Sequence, residues 1–591
     1  MTPVSDPTPR PVASMPWLLA IGLALLLAGC QWFLEEEQFH PAPDDGRPWI
    51  LVDLYHTHIQ NPVDYRLHRD QYNYQGTYGF HRLFEHFETY DYPWTSLRTM
   101  PLSAPRLEGF DVLFINLLHD RNPDFTQKEV DLIISFVESG GGLFVIADHT
   151  NVYRHAERIN PFLIPMGIEV MYHTAVDYPP EYSISGRGWL MSFDFADHPV
   201  TEGLEMISFK TGGPLDTDYG VAFTSERSFA DYWNEENTSG YYGNWTQGDD
   251  HDLEPSGPLS IVAAAEFGDG RVAVVGDQNI FGDAWINFGN NFELATNIVE
   301  WLAGNENATE PLRLQKRKGH NIAFESRTNF FQAARTPKDG YYNFFIESNR
   351  NEEITARATP LLETRNTDTL FFPSSDITFR ASASHLNDLE FDEEELDQIY
   401  HFLHDGGQVV ISFEANDIRR PTEQLLERLT DDFEIRSGEV SWKPGDSESF
   451  DPGVWEGFFP ITSTNFFVDD LLLGSLETFP NPADPADDEA DGPFYPEDYE
   501  VLEGYLFDLE VSWGLPFIDA QKSGTQSTTI ARHSLVGAGE LIIFVQDGFF
   551  RNRTLGTDEL LRPQASFRVD TIEFQHRFLD YLRSTARMMS K

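Results

Sequence analysis

Asp53, His56 and His58 in "VDLYHTH", His119 and Asp120 after "FINLL", Asp148 and His149 in "IADHT", and Asp277 in "VVGDQ" are the residues whose chemistry stands out. Each group follows a short apolar run. Carboxylates and neutral imidazoles are ligands for a divalent metal, and water bound to such an ion is a nucleophile, so the set suits a metal site or metal-assisted hydrolysis. Asp53, His56, His58, Asp148, His149 and Asp277 are the candidate metal ligands; His119 and Asp120 join them as candidate ligand-binding residues. The same residue types have a plainer use. Asp after a strand caps the next helix or closes an Asx turn, and His satisfies buried backbone groups. Both readings stand at this level. His155, beside Arg154, is expected at the surface where a helix begins.

The elements that would position these residues are legible. "WILVDLY" (49–55), "FDVLFINLL" (110–118), "LFVIA" (143–147) and "GRVAVVGD" (270–277) read as buried strands. "YGFHRLFEHFE" (78–88) reads as an amphipathic helix. Thr126 and Glu129 form a T-x-x-E capping box that opens a second helix, with Val130, Ile133, Ile134 and Val137 on one face and Gly140–Gly142 at its end. "NNFELATNIVEWLAG" (290–304) closes the unit. Apolar strands alternating with amphipathic helices predict an α/β fold with a mainly parallel sheet covered on both faces. In such a sheet all strand carboxyl ends share one edge, which is where the Asp and His residues would gather.

The chain of 591 residues exceeds one core, and its second half repeats the design of the first. "SSDITFRASASH" (374–385) parallels "GFDVLFINLLHD" (109–120), with Asp376 matching Asp111 and Phe379 matching Phe114. Gly406-Gly407 match Gly141-Gly142, and "GAGELIIFVQDGFF" (537–550) parallels "GDGRVAVVGDQNIF" (268–281). A last helix carries Phe574, Phe578, Leu579 and Leu582. On this alignment Glu347 stands for Asp53, Phe413-Glu414 replace Asp148-His149, and Asp547 keeps the Asp277 position, so the second copy lacks the histidines and is degenerate. The expected divisions are 1–30 leader, 31–47 acidic tether, 48–304 first domain, 305–340 linker with the basic island "RLQKRKGH", and 341–588 second domain. The second domain contains an acidic, Pro-rich loop at 481–499.

A formal net charge of −55 argues against nucleic-acid partners, because a phosphate backbone would repel the chain. No Walker loop, H-E-x-x-H or G-x-S-x-G elbow is present. "YWNEENTSGYYGNWTQGDD" (232–250) offers aromatic faces that stack on sugars, or an insertion packed on its domain.

Arg10 precedes "MPWLLAIGLALLLAGC", a run too short for a confident membrane span. Its end, "LAGC" at 27–30, resembles the lipobox of bacterial lipoproteins, which implies lipidation of Cys30 and a membrane anchor. Gln31 stands where an inner-membrane retention signal would place Asp, so that resemblance favours the outer membrane of the cell envelope. Cys30 is the one cysteine, leaving neither a disulfide nor a thiol nucleophile.

"VDLYH" (52–56), "FTQKEVDLIISFVESGGGLFVIADH" (125–149), "DHPVTEGL" (197–204) and "FGDGRVAVVGDQNIF" (267–281) together resemble the class I glutamine-amidotransferase-like superfamily. The branch is that of the trehalose-utilisation-protein group and the gliding-motility transport accessory proteins. The resemblance implies two tandem flavodoxin-like three-layer sandwiches, covering 48–304 well and 340–585 weakly. In true amidotransferases the turn after the glycine-and-strand part of the second of these segments (140–147) bears a nucleophilic Cys, and His-x-Glu follows a late strand. Asp148-His149 and Asp277-Gln278 occupy those places here, so glutamine hydrolysis by that route is excluded. A non-catalytic binding or scaffolding component, accessory to envelope transport and working with envelope protein partners, is the expected function. A metal-dependent hydrolase is the alternative.

Overall fold

The computed structural model describes residues 48–57, 79–89, 92–119, 121–178, 183–185, 189–233, 243–283, 285–304, 319–325, 341–349, 353–359, 362, 364–373, 390–416, 418–446, 450, 454–455, 461–462, 506–521, 527–550 and 574–585. Cys30, His58 and Asp120 lie outside these, as do the leader, the tether, residues 234–242 of the aromatic-rich segment and the 481–499 loop.

The first unit runs β1 (Ile50–Asp53), α1 (His81–Thr89), β2 (Trp94–Leu97), β3 (Val112–Ile115), α2 (Gln127–Glu138), β4 (Gly142–Ile146), α3 (His155–Leu163), β5 (Asp194–Phe195), β6 (Ile207–Lys210), β7 (Gly220–Phe223), β8 (Ser260–Phe267), β9 (Gly270–Val275) and α4 (Asn291–Leu302). Its main sheet has the order β2-β1-β3-β4-β9-β8-β7-β5. The first five strands are mutually parallel and the last three antiparallel. The parallel part has the flavodoxin-like 2-1-3-4-5 order.

Alternation along the strands builds two cores. Val52, Phe114, Phe144 and Val275 face α1 and α4, where Phe84, Phe87, Phe292 and Ile298 meet them. Leu51, Leu113, Val145 and Val274 face α2 and α3, against Ile133, Val137, Ile159 and Phe162. Each such side chain contributes about 1.5–3 kcal/mol by leaving water, and strands buried on both faces explain why the sequence shows continuous apolar runs. The capping box holds: Thr126 Oγ1 accepts Glu129 N–H at 3.3 Å and Glu129 Oε2 accepts Thr126 N–H at 2.9 Å.

The second unit repeats this topology with β10 (His320–Glu325), α5 (Tyr342–Asn349), β11 (Ile354–Thr359), β12 (Thr369–Phe372), α6 (Glu393–His404), β13 (Gln408–Ser412), α7 (Arg420–Leu429), β14 (Ile461–Thr462), β15 (Leu515–Gln521), β16 (Ser527–Val536) and β17 (Gly539–Phe544). The order is β11-β10-β12-β13-β17-β16-β15-β14, again five parallel strands followed by three antiparallel ones. The fold is therefore α/β, with two tandem parallel-rich sheets.

Strand register corrects the internal alignment. Val112 and Thr369 occupy the same place, as do Gly142 and Gln408. Asp368 and Phe371, not Asp376 and Phe379, thus match Asp111 and Phe114, while 374–389 lies outside the described residues. Gly406-Gly407 match Gly140-Gly141: Gly140 and Gly406 share a left-handed φ of 110° and 111°, which only glycine adopts freely. Asp53 corresponds to Glu325, whereas Glu347 lies in α5. Asp148-His149 correspond to Glu414-Ala415, and Asp277-Gln278 to Gln546-Asp547. β10 also falls inside the stretch expected to be a linker. Its short "HNIAFE" run follows directly on the basic island, which masks the apolar signal.

The two sheets are joined. Residues 287–289 of the first unit lie along β11, an edge strand, with Gly289 N–H donating to Ala358 O at 2.7 Å and Ala358 N–H to Asn287 O at 3.2 Å. Met206, Trp285 and Phe288 share one buried cluster with Phe324, Phe345 and Phe544.

Candidate functional site

The strand ends of the first sheet bring the expected residues to one edge and then divide them. Asp53 is fully buried at the end of β1. Its Oδ1 accepts Tyr55 and His56 N–H at 3.0 and 3.1 Å, and its Oδ2 lies 2.7 Å from His56 Nδ1. The other ring nitrogen of His56 faces Glu129 Oε1 at 3.5 Å, and the ring lies against Phe125. The imidazole is thus held between two buried carboxylates. Glu129, legible only as a helix cap, is a second carboxylate of this group.

A second group forms two strands away. Asp148 Oδ1 accepts His149 N–H at 2.7 Å, while Oδ2 is buried with no hydrogen bond of ordinary geometry. Asp277 Oδ1 accepts Asn279 N–H at 2.7 Å and Oδ2 accepts Lys210 N–H at 2.5 Å. Burial raises the Asp148 carboxyl well above the ordinary range and the neighbouring Asp277 adds to this, while the His149 amide, Gln278 and Lys210 oppose it. Burial likewise raises Asp277 to about 7, against the Lys210 and Asn279 amides. The two carboxyls lie on adjacent strands and hinder each other's ionisation, so at neutral pH the pair retains a proton. The Lys210 ammonium sits 4.5 Å above the Trp285 ring.

The turn beyond β4 is tightly built. Thr150, Tyr153 and Arg154 all have left-handed φ, at 53°, 54° and 59°. Such conformations cost about 1–3 kcal/mol each and persist where surrounding contacts over-determine them. His155 supplies one contact, and here the expectation of a surface residue is corrected. It is fully buried, Nδ1 bonds Val152 O at 2.8 Å, and Nε2 accepts Asp148 N–H at 3.1 Å. That pattern requires the neutral ring, and burial, with Arg158 nearby, lowers its pKa to about 4. From α3, Arg158 donates to the carbonyls of His119, Asn122 and Pro123 at 2.9, 3.1 and 2.8 Å, fixing the loop after β3. His119 stacks on Tyr153 at 4.3 Å, and its Nδ1 accepts Arg121 N–H.

Glycines let a loop lie over this edge. A Cβ on Gly213 would stand 2.7 Å from Asp148 O, and Gly213 N–H donates to Gly276 O at 2.7 Å. This close approach covers the Asp148–Asp277 pair. Among the described residues, no group of three or more His, Cys, Asp or Glu side chains is arranged to hold a metal ion. Asp53 and His56 sit with Glu129, Asp148 and His149 with Asp277, and His119 with Tyr153. The sequence does not place Lys210, Glu129, His155 and Arg158 at this edge. The glycine pair after "ISFK" is the signal in the sequence that marks Lys210.

No family model and no curated protein matches the chain. Its structural neighbours include ThuA-like proteins. One, from Bacteroides uniformis, is 14% identical, covers 47% of this chain and 99% of its own, and has a TM-score of 0.27. Another, from Parabacteroides merdae, is 11% identical over 46% of this chain and 93% of its own, at 0.26. The mmIFT52 N-terminal domain is 16% identical over 43% of this chain and 96% of its own, at 0.30. Likeness this distant speaks to neither activity nor ligand.

Proposed function

We propose that the chain is a lipid-anchored protein of the bacterial cell envelope whose two α/β units serve binding and assembly, as an accessory to envelope transport, rather than chemistry at the carboxyl edge of the first sheet. The supporting observation is how the strand-end carboxylates are used: Asp53, Asp148 and Asp277 each accept backbone N–H groups and are fully buried. The alternative, a metal-dependent hydrolase, needs these side chains around one open point, and they stand in separate groups. The anchor rests on the lipobox-like "LAGC" and on Cys30. Among the described residues no helix is long and apolar enough to cross a membrane.

The test is expression of the full chain and a Cys30→Ala variant in a Gram-negative host, with palmitate labelling and membrane fractionation. Label and outer-membrane recovery that both disappear in the variant support the anchor. Equal fractionation without label overturns it.

A further inference from the structure

Opposite the edge just described, at the amino ends of the strands, each unit has a cavity, and the two are lined by equivalent positions. In the first unit it holds about 250 Å³ beside Leu107, Phe110, Asp111, Phe136, Ser139 and Gly140-Gly141. In the second it holds about 520 Å³ beside Thr364, Thr367, Asp368, Phe402, Asp405 and Gly406-Gly407, with Gln398 and His401 added. The match is residue by residue: α2 and α6 both open with a capping box, at Thr126 and Asp392, and both end on the same left-handed glycine. Asp111 Oδ2 accepts Trp49 N–H and Asp368 Oδ2 accepts Asn321 N–H in the same way.

The fold alone accounts for the smaller cavity, because a helix turning into a strand over two glycines leaves a dent. It does not account for the difference. Leu107 and Phe110, buried in the first unit, become Thr364 and Thr367; Ser139 becomes Asp405. The second cavity has about twice the volume and is lined with two threonine hydroxyls and a second carboxylate. Its volume falls within the range of about 300–1,000 Å³ usual for small-molecule sites, and the first falls below it. The carboxyl end of α6 adds its negative dipole end to Asp368 and Asp405, which favours a cation, and the hydroxyls and the Phe402 ring suit a hydroxylated carbon frame.

We infer that the second unit binds a small hydroxylated primary amine in the cavity between the end of α6 and the start of β12, with Asp405 and Asp368 facing the ammonium and Thr364 and Thr367 the hydroxyls. This site is independent of the anchor and of the carboxyl-edge residues.

Calorimetric titration of the full-length protein with glucosamine, and with glucose as the uncharged comparison, tests it. Glucosamine binding one to one, at least tenfold tighter than glucose, is expected. Thr364→Leu with Thr367→Phe installs the first unit's own residues and should abolish binding, and Asp405→Ser should weaken it several-fold. Asp405 is exposed at the rim, so that variant reads the site even if the double substitution unfolds the unit. No glucosamine binding, equal binding of glucose, or affinity unchanged in Asp405→Ser would overturn the assignment.

Discussion

His155 Nε2 accepts the backbone N–H of Asp148 at 3.1 Å, so a neutral imidazole holds the turn that carries one half of a buried carboxyl pair. The two sides of this arrangement respond to pH in opposite directions. The His155 pKa is about 4 in the fold against an ordinary 6.5, so the unfolded chain takes up a proton that the fold refuses, and stability is lost as pH falls from 6.5 to 4. Asp277 titrates at about 7 against an ordinary 3.8, so the fold keeps a proton the unfolded chain has released, and stability falls as pH rises from 4 to 7. Denaturant midpoints across pH 4–8 should therefore be flatter for the native protein than for either variant. His155→Gln should leave stability rising on acidification, and Asp277→Asn should leave it falling. Parallel profiles for all three proteins would remove the opposition.

Arg158 closes the loop after β3 through three carbonyls. Arg158→Met keeps the apolar stem but takes this donor from the Asn122 and Pro123 carbonyls, while the His119 carbonyl keeps the Asn122 N–H at 2.9 Å, at a cost of about 3 kcal/mol. Hydrogen exchange should quicken in 119–124 before it does in β3. Loss confined to α3 would place the role of Arg158 elsewhere.

Gly213→Ala should lower the melting temperature, because its Cβ would press on Asp148 O at 2.7 Å and that neighbour is backbone. Overpacking of this kind costs about 1–3 kcal/mol. An unchanged melting temperature would mean that the 211–213 loop does not lie over the pair.

Divided donors predict that protein purified without added metal carries no stoichiometric divalent ion and melts alike with and without chelator. Elemental analysis beside an Asp148→Ala, His149→Ala variant checks this. Bound metal that vanishes in the variant would restore the hydrolase reading.

The parallel strands and the helices packed on them were legible because continuous apolar runs and a 3.6-residue period follow from burial on both faces and on one. The Thr126–Glu129 box was legible for the same local reason. The register of the repeat was not. "DITF" looks as much like β3 as "DTLFF" does, and only pairing of Thr369 with Gln408 decides between them. At the site, topology foretold that Asp53, Asp148 and Asp277 would share an edge. Which way their oxygens face was not foretold, because it depends on distant residues: Gly213 lies over Asp148 from another part of the chain, and Lys210 reaches Asp277 from across 67 positions. His155 departs from the surface position its charged neighbour suggests, because Arg154 alone is exposed and the histidine turns inward.

The strip at 287–289 that lies along β11 has a consequence for the order of the halves. It joins the tail of one unit to the flank of the next, a head-to-tail contact and not a two-fold one, so it does not close on itself. A chain with its halves exchanged, or the later half expressed alone, would present β11 bare, and a bare strand flank recruits other chains. The repeat is thus a polar arrangement in which the leading half covers part of a strand flank of the trailing one.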